Sequence, residues 1–136
     1  MRECILLFQF EQTKQRKLVA QLLPARFKVK VVGPEEMDLP IGYLAGNKEL
    51  SGQQETVEDN RPLEQEMLVM AGISPDRLNI VLQAIKKAGI GPIPYKAVVT
   101  ETNQHWKARE LFEELRKEHE AMKTQSNTGK MLHEQN

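Results

Sequence analysis

Two short runs constrain the fold more than anything else in the chain. Ile5–Phe8 and Met67–Ala71 hold no polar residue at any position. A strand alternates its side chains between two faces, so a strand apolar throughout must be covered on both. Each run is far short of the roughly 20 apolar residues that cross a bilayer. Both therefore read as central strands of a sheet with packing layers on either side.

The two runs lead into similar patterns. After the first, Thr13–Leu23 places Leu18, Val19, Leu22 and Leu23 at helical spacing, with Thr13 as N-cap and Pro24 as the stop. Phe27–Val32 then alternates, with Phe27, Val29 and Val31 on one face and Lys28 and Lys30 on the other. Lysines suit a sheet edge, where they discourage aggregation. After the second run, Ser74-Pro75-Asp76 supplies an N-cap, a first-turn proline and a dipole-favoured acid. Leu78, Val81, Leu82, Ile85 and Ala88 form one helical face, Gly89 ends it, and Pro94–Val99 is a further strand.

These pseudo-repeats, 1–33 and 66–100, predict an α+β fold: a ferredoxin-like βαβ-βαβ duplication with an added C-terminal helix over 104–122. Right-handed crossovers place the first two helices on one sheet face. The other face must be covered by the third helix, by a small apolar knot (Leu39, Ile41, Tyr43 and Leu44), or by a second subunit. Residues 1–122 read as a single domain, a size ordinary for one core. Residues 45–66 read as a long acidic loop, and 123–136 as a flexible polar tail.

Charge is segregated although its sum is zero, with 19 Lys+Arg against 19 Asp+Glu. Residues 12–34 carry Lys14, Arg16, Lys17, Arg26, Lys28 and Lys30 with no acid; residues 35–66 carry nine acids against Lys48 and Arg61. The simplest expectation is a solvated surface or mutual neutralisation. The Met-Arg-Glu-Cys start does not resemble a secretory signal, and the lone Cys4 suits a reducing cytoplasm. No membrane span and no cofactor are expected.

Metal chemistry finds no motif, since His105, His119 and His133 stand fourteen residues apart. Cys4, in an apolar strand, reads as an inert buried thiol. The densest polar constellation is Lys96-Ala-Val-Val-Thr100-Glu-Thr102-Asn103-Gln-His-Trp106, running from a strand end into a helix start. Free N–H groups and a positive dipole end meet there, which suits an anion. Thr102 or Asn103 reads most simply as the N-cap. Trp106 falls opposite the apolar stripe Ala108, Leu111, Phe112, Leu115, His119 and Met122 on a helical wheel. It reads either as a contact residue or as packing on a nearby loop.

Four stretches carry a family resemblance: Met67-Leu-Val-Met-Ala-Gly-Ile-Ser, Leu78 to Gly89, Lys96 through Trp106, and Glu113-Glu-Leu-Arg-Lys-Glu-His119. Over residues 66–121 the chain resembles the bacterial domain-of-unknown-function family 3783. That resemblance implies a bacterial protein and a shared domain, and brings no activity and no catalytic residue with it.

The expected function is a small cytoplasmic binding or regulatory module. It would hold a protein or a small anionic ligand through Lys96, Thr100, Thr102, Asn103 and Trp106, and form a homodimer through the uncovered sheet face. The alternatives are a small enzyme with Lys96, Thr100, Asn103 and His105 in one pocket, and a nucleic-acid binder using the basic 14–30 face. Nucleic acid is the weaker expectation, because aromatics are only 5% of the chain.

Overall fold

The structure, a computed structural model, describes residues 2–53 and 61–134, and side chains within 2–50 and 61–122. The middle of the expected acidic loop, 54–60, lies outside the described residues, as do the side chains of the expected tail.

The chain is α+β, with four helices and a four-stranded mixed sheet among the described residues. Strand β1 (Cys4–Phe8) leads through α1 (Gln12–Leu22) to β2 (Val29–Val32). A 3₁₀ turn at Pro34–Glu36 and a one-turn helix α2 (Ile41–Leu44) come next. Strand β3 (Met67–Ala71) leads through α3 (Pro75–Ala88) to β4 (Lys96–Val98), and α4 runs from Ala108 to Glu134.

The sheet order is β2-β1-β3-β4. Strands β1 and β3 are central and antiparallel, with Ile5 opposite Met70 and Leu7 opposite Leu68. Each outer strand runs parallel to the central strand of its own unit. This differs from the ferredoxin-like arrangement expected from the sequence. There the strands of one unit are separated by a strand of the other; here they are neighbours. The hydrophobic pattern places two strands at the centre and two at the edges, and both arrangements satisfy it.

All residues of β1 and β3 are buried, at 3% exposure or less. On one face, Ile5, Leu7, Leu68 and Met70 pack with Leu18 and Leu22 of α1 and Val81, Ala84 and Ile85 of α3. On the other, Cys4, Leu6, Phe8, Met67, Val69 and Ala71 pack with Met37, Ile41, Leu44, Leu111 and Phe112. The apolar knot and α4 thus cover this second face together, with Leu39 and Tyr43 at its margin. Covering the face needs no second subunit, so the feature that suggested a homodimer through it is gone.

Local signals explain the boundaries. Ser74 Oγ accepts from the Arg77 N–H at 3.3 Å, Pro75 opens α3, and Gly89 ends it in the left-handed region at φ 66°. Helix α1 starts at Gln12 after Glu11, without a side-chain cap, so Thr13 is not its N-cap. It ends before a 3₁₀ turn containing Pro24. Helix α4 begins four residues later than the sequence suggests and continues past 122 to Glu134. Among the described residues no helix is long and apolar enough to cross a membrane.

Candidate functional site

The corner between β4 and α4 is ordered by its own polar residues. Thr100 Oγ1 accepts from the Asn103 N–H at 3.1 Å, and Asn103 Oδ1 accepts from the Thr100 N–H at 2.8 Å. This reciprocal pair has the logic of a capping box, with Asn in the place usually held by Glu or Gln. Asn103 Nδ2 also donates to the Val98 carbonyl at 3.1 Å, and Gln104 Nε2 to the Glu101 carbonyl at 3.2 Å. The side chains expected to offer an anion their free groups are thus largely spent on neighbouring backbone. Thr102 is exposed and makes no side-chain cap.

Trp106 is not a helix residue. Asn103–His105 form a 3₁₀ turn, Trp106 is extended at φ −78° and ψ 147°, and α4 starts two residues later. A helical wheel therefore does not apply to it. Its indole is half-buried against the cluster under α4. The Trp106 backbone N–H donates to the Asn103 carbonyl, and its carbonyl accepts from the Ile41 N–H at 2.8 Å. The Arg109 N–H donates to the Met37 carbonyl, and Arg109 Nε lies 3.4 Å from Asp38. The 37–41 segment is in this way stitched to 106–109.

Lys96 belongs to the opposite face. Its register partner is Leu68, on the α1/α3 side, and its ammonium donates to the Ile93 carbonyl. His105 is exposed. Lys96, Thr100, Asn103 and His105 therefore do not converge on one pocket, nor does Lys96 meet Trp106. His119 sets its ring edge-on to Tyr95, with centroids 5.5 Å apart, and Tyr95 in turn meets Phe112 at 5.1 Å. Among the described residues no group of His, Cys, Asp and Glu could hold a metal ion.

The place where Lys96 does point is an open groove. It lies between the C-terminal half of α3 and the approach to β4, with a volume of about 470 Å³. Leu82, Ile85, Pro92 and Ile93 line it, and Lys86 and Lys96 are its charged lining residues. Gly91, at φ 83°, turns the chain along its wall. Sequence reasoning found Lys96 but not its partners. Leu82 and Ile85 read there only as core positions, and nothing local says that the 91–93 loop leaves Leu82 partly exposed above the buried Ile85.

A second cavity of about 600 Å³ lies beside Arg61, Leu63, Glu64, Arg109, Phe112 and Glu113. Charges of both signs line it, so it has no evident preference for one ligand charge.

The basic first unit is partly neutralised from within. Lys30 Nζ lies 3.0 Å from Glu36, and Lys14 Nζ lies 3.4 Å from Glu66. Acids of the 35–66 stretch do fold back on basic residues at these two positions.

The most connected cation of the first unit's margin is one the sequence did not single out. Arg77 binds Glu3 through Nε at 2.9 Å and Nη2 at 2.6 Å, and Nη2 also donates to the Ala25 carbonyl at 2.8 Å. Its guanidinium stacks over Phe27, 4.1 Å from the ring centroid. Hydrogen bonding to Arg77 holds the Glu3 carboxyl below its ordinary pKa, against a smaller opposing effect of burial. Burial pushes the Cys4 thiol up, and the nearby Lys28 and Lys30 charges only partly offset this.

Residues 66–122 match the family model described as Domain of unknown function (DUF3783). The match takes in the second βαβ unit, the capped corner and the packed part of α4. No curated protein and no solved structure matches the chain.

Proposed function

We propose that this protein is a non-enzymatic binding module that holds a small apolar anion in the groove between α3 and β4. The observation that carries this reading is the lining itself. An apolar floor (Leu82 and Pro92 over the buried Ile85 and Ile93) is bordered by two lysines, Lys86 and Lys96, with no acid among the lining residues. Ligand pockets are mostly apolar, with a few placed polar groups that fix orientation. An aliphatic or aromatic carboxylate matches that pattern: the hydrocarbon lies on the floor and the carboxylate meets the ammonium groups. Lys96 is half-buried and already oriented by the Ile93 carbonyl, so little side-chain freedom is lost on binding. The lone thiol and the family resemblance support a bacterial, cytoplasmic setting for the module.

The test uses decanoate and anilinonaphthalene sulfonate as probes, titrated against the whole chain. Binding is read by calorimetry and by amide shifts at Gly91 and Ile93. Lys96→Met should weaken both probes about tenfold, as expected for loss of one charge-assisted contact. Decylamine should not compete. Equal binding to the Lys96→Met variant, or equal affinity for decylamine, would rule the reading out.

A further inference from the structure

We propose that the outer edge of β2 is a docking edge for an extended, acidic segment of a partner protein, which adds a fifth strand to the sheet. This goes beyond the groove reading and involves none of its residues.

The backbone makes the first argument. Strand β2 ends the sheet, and its parallel register sets Ile5 opposite Val29 and Leu7 opposite Val31. The Ile5 N–H donates to the Lys28 carbonyl, so Lys28, Lys30 and Val32 direct their backbone groups inward to β1. Val29 and Val31 direct theirs outward. Among the described residues, no hydrogen bond from another segment reaches those outward groups. The other edge is different. There the outward carbonyl of Val98 already accepts the Asn103 amide, and β4 is only three residues long. Among the described residues, one edge of the sheet is capped and the other is left open.

The side chains make the second argument. Val31 is an exposed large hydrophobic, at 49%, on the face where the sequence pattern expects burial. Lys28 is exposed on the opposite face, and Arg26 precedes it in the left-handed region. Lysines on an edge guard it against indiscriminate pairing, and the same charges select an acidic strand. Lys30 already meets Glu36 at 3.0 Å, so Lys28 and Arg26 are the charges that a docked acidic strand would meet first. A second copy of this chain is a poor occupant, because pairing two β2 edges would set Lys28 and Lys30 against their equivalents. Single-stranded nucleic acid would need aromatic platforms, and Phe8 and Phe27 are both buried.

The experiment titrates the full chain with a fluorescein-labelled hexapeptide of alternating Glu and Val. Four controls accompany it: the same peptide N-methylated at every residue, a Lys/Val peptide, hexaglutamate, and a hexauridine RNA. The acidic strand should bind at least tenfold more tightly than any control, and shift the amides of Val29 and Val31. Val31→Pro removes an outward N–H while keeping the inward ladder. It should weaken binding about tenfold. Lys28→Glu should weaken it at least as much, and provides the test if the proline variant does not fold. Lys96→Met should leave it unchanged. Equal binding of the N-methylated peptide or hexaglutamate would overturn the proposal, because charge alone would then explain it. Tighter binding of the RNA would also overturn it, as would no binding of the acidic strand.

Discussion

At the scale of single residues, consequences are largest where one side chain joins several segments or the backbone passes close to another. Arg77 joins the start of β1, the turn after α1, Phe27 and the first turn of α3 through one planar group. Lysine cannot reproduce a bidentate pair and a stacked ring together. Arg77→Lys should therefore lower the melting temperature, and Arg77→Ala should lower it further. The Glu3 partner gives this a pH signature. Its folded pKa lies below the unfolded value, so its contribution is present above the ordinary Glu value of about 4.3 and is lost as pH falls through the folded value. The gap in melting temperature between wild type and Glu3→Gln should be open at neutral pH and close below that point. Gly42 is a case of close approach. A Cβ there would stand 2.6 Å from a Leu50 methyl and 3.1 Å from the Gln104 carbonyl oxygen. The methyl can swing away, but the backbone oxygen is fixed by the packed turn. Gly42→Ala should cost about 1–3 kcal/mol, read by urea denaturation. Cys4, 1% exposed with its thiol pKa raised, should react with a thiol reagent at pH 8 only as fast as the chain unfolds.

At the scale of elements, the corner between β4 and α4 shows one set of residues serving as structure where a site was expected. Asn103 closes a reciprocal cap with Thr100 and also takes up the last outward carbonyl of β4. Asn103→Ala should cost about 1 kcal/mol for the lost cap, and it should free the β4 edge. Trp106 is the hinge between the 3₁₀ turn and α4, and its half-buried ring fills the margin of the second core. Trp106→Ala should cost about 2–4 kcal/mol, less than for a fully buried ring. Circular dichroism in urea would read it, since the variant lacks its only tryptophan. Helix α4 buries Ala108, Leu111 and Phe112, half-buries Leu115, and leaves Met122 68% exposed. Its anchor is thus two turns long. A chain truncated after Met122 should keep its melting temperature within a few degrees, because it retains the buried anchor over 108–115.

At the scale of the whole molecule, β1 and β3 are the rigid centre, and their amides should exchange only through global unfolding. The outward amides of Val29 and Val31 should exchange orders of magnitude faster. Much of this architecture was legible from residues 5–8 and 67–71. A run with no polar position must be central, alternation with lysines must be an edge, and Ser-Pro-Asp with a later Gly must bound a helix. Those are local demands of hydrogen bonding, φ and solvation, and any fold of this chain has to meet them. Which strand lies beside which was not legible, because interleaved and adjacent βαβ units bury the same side chains. The cover of the second face was narrowed to three candidates and no further, since the apolar stripe of α4 fits a neighbouring subunit as well as its own sheet. The corner at Thr100–Trp106 was only partly legible, for a different reason. Sequence spacing shows which polar groups are near one another, but not whether they satisfy each other or wait for a ligand. The groove at Lys96 and the open edge at Val31 exist because of where packing stops. The chain alone determined the central strands, the helix ends and the segregation of charge. Only the tertiary structure decided strand order, the use of each polar side chain and the surfaces left uncovered, because these depend on contacts between segments far apart in sequence.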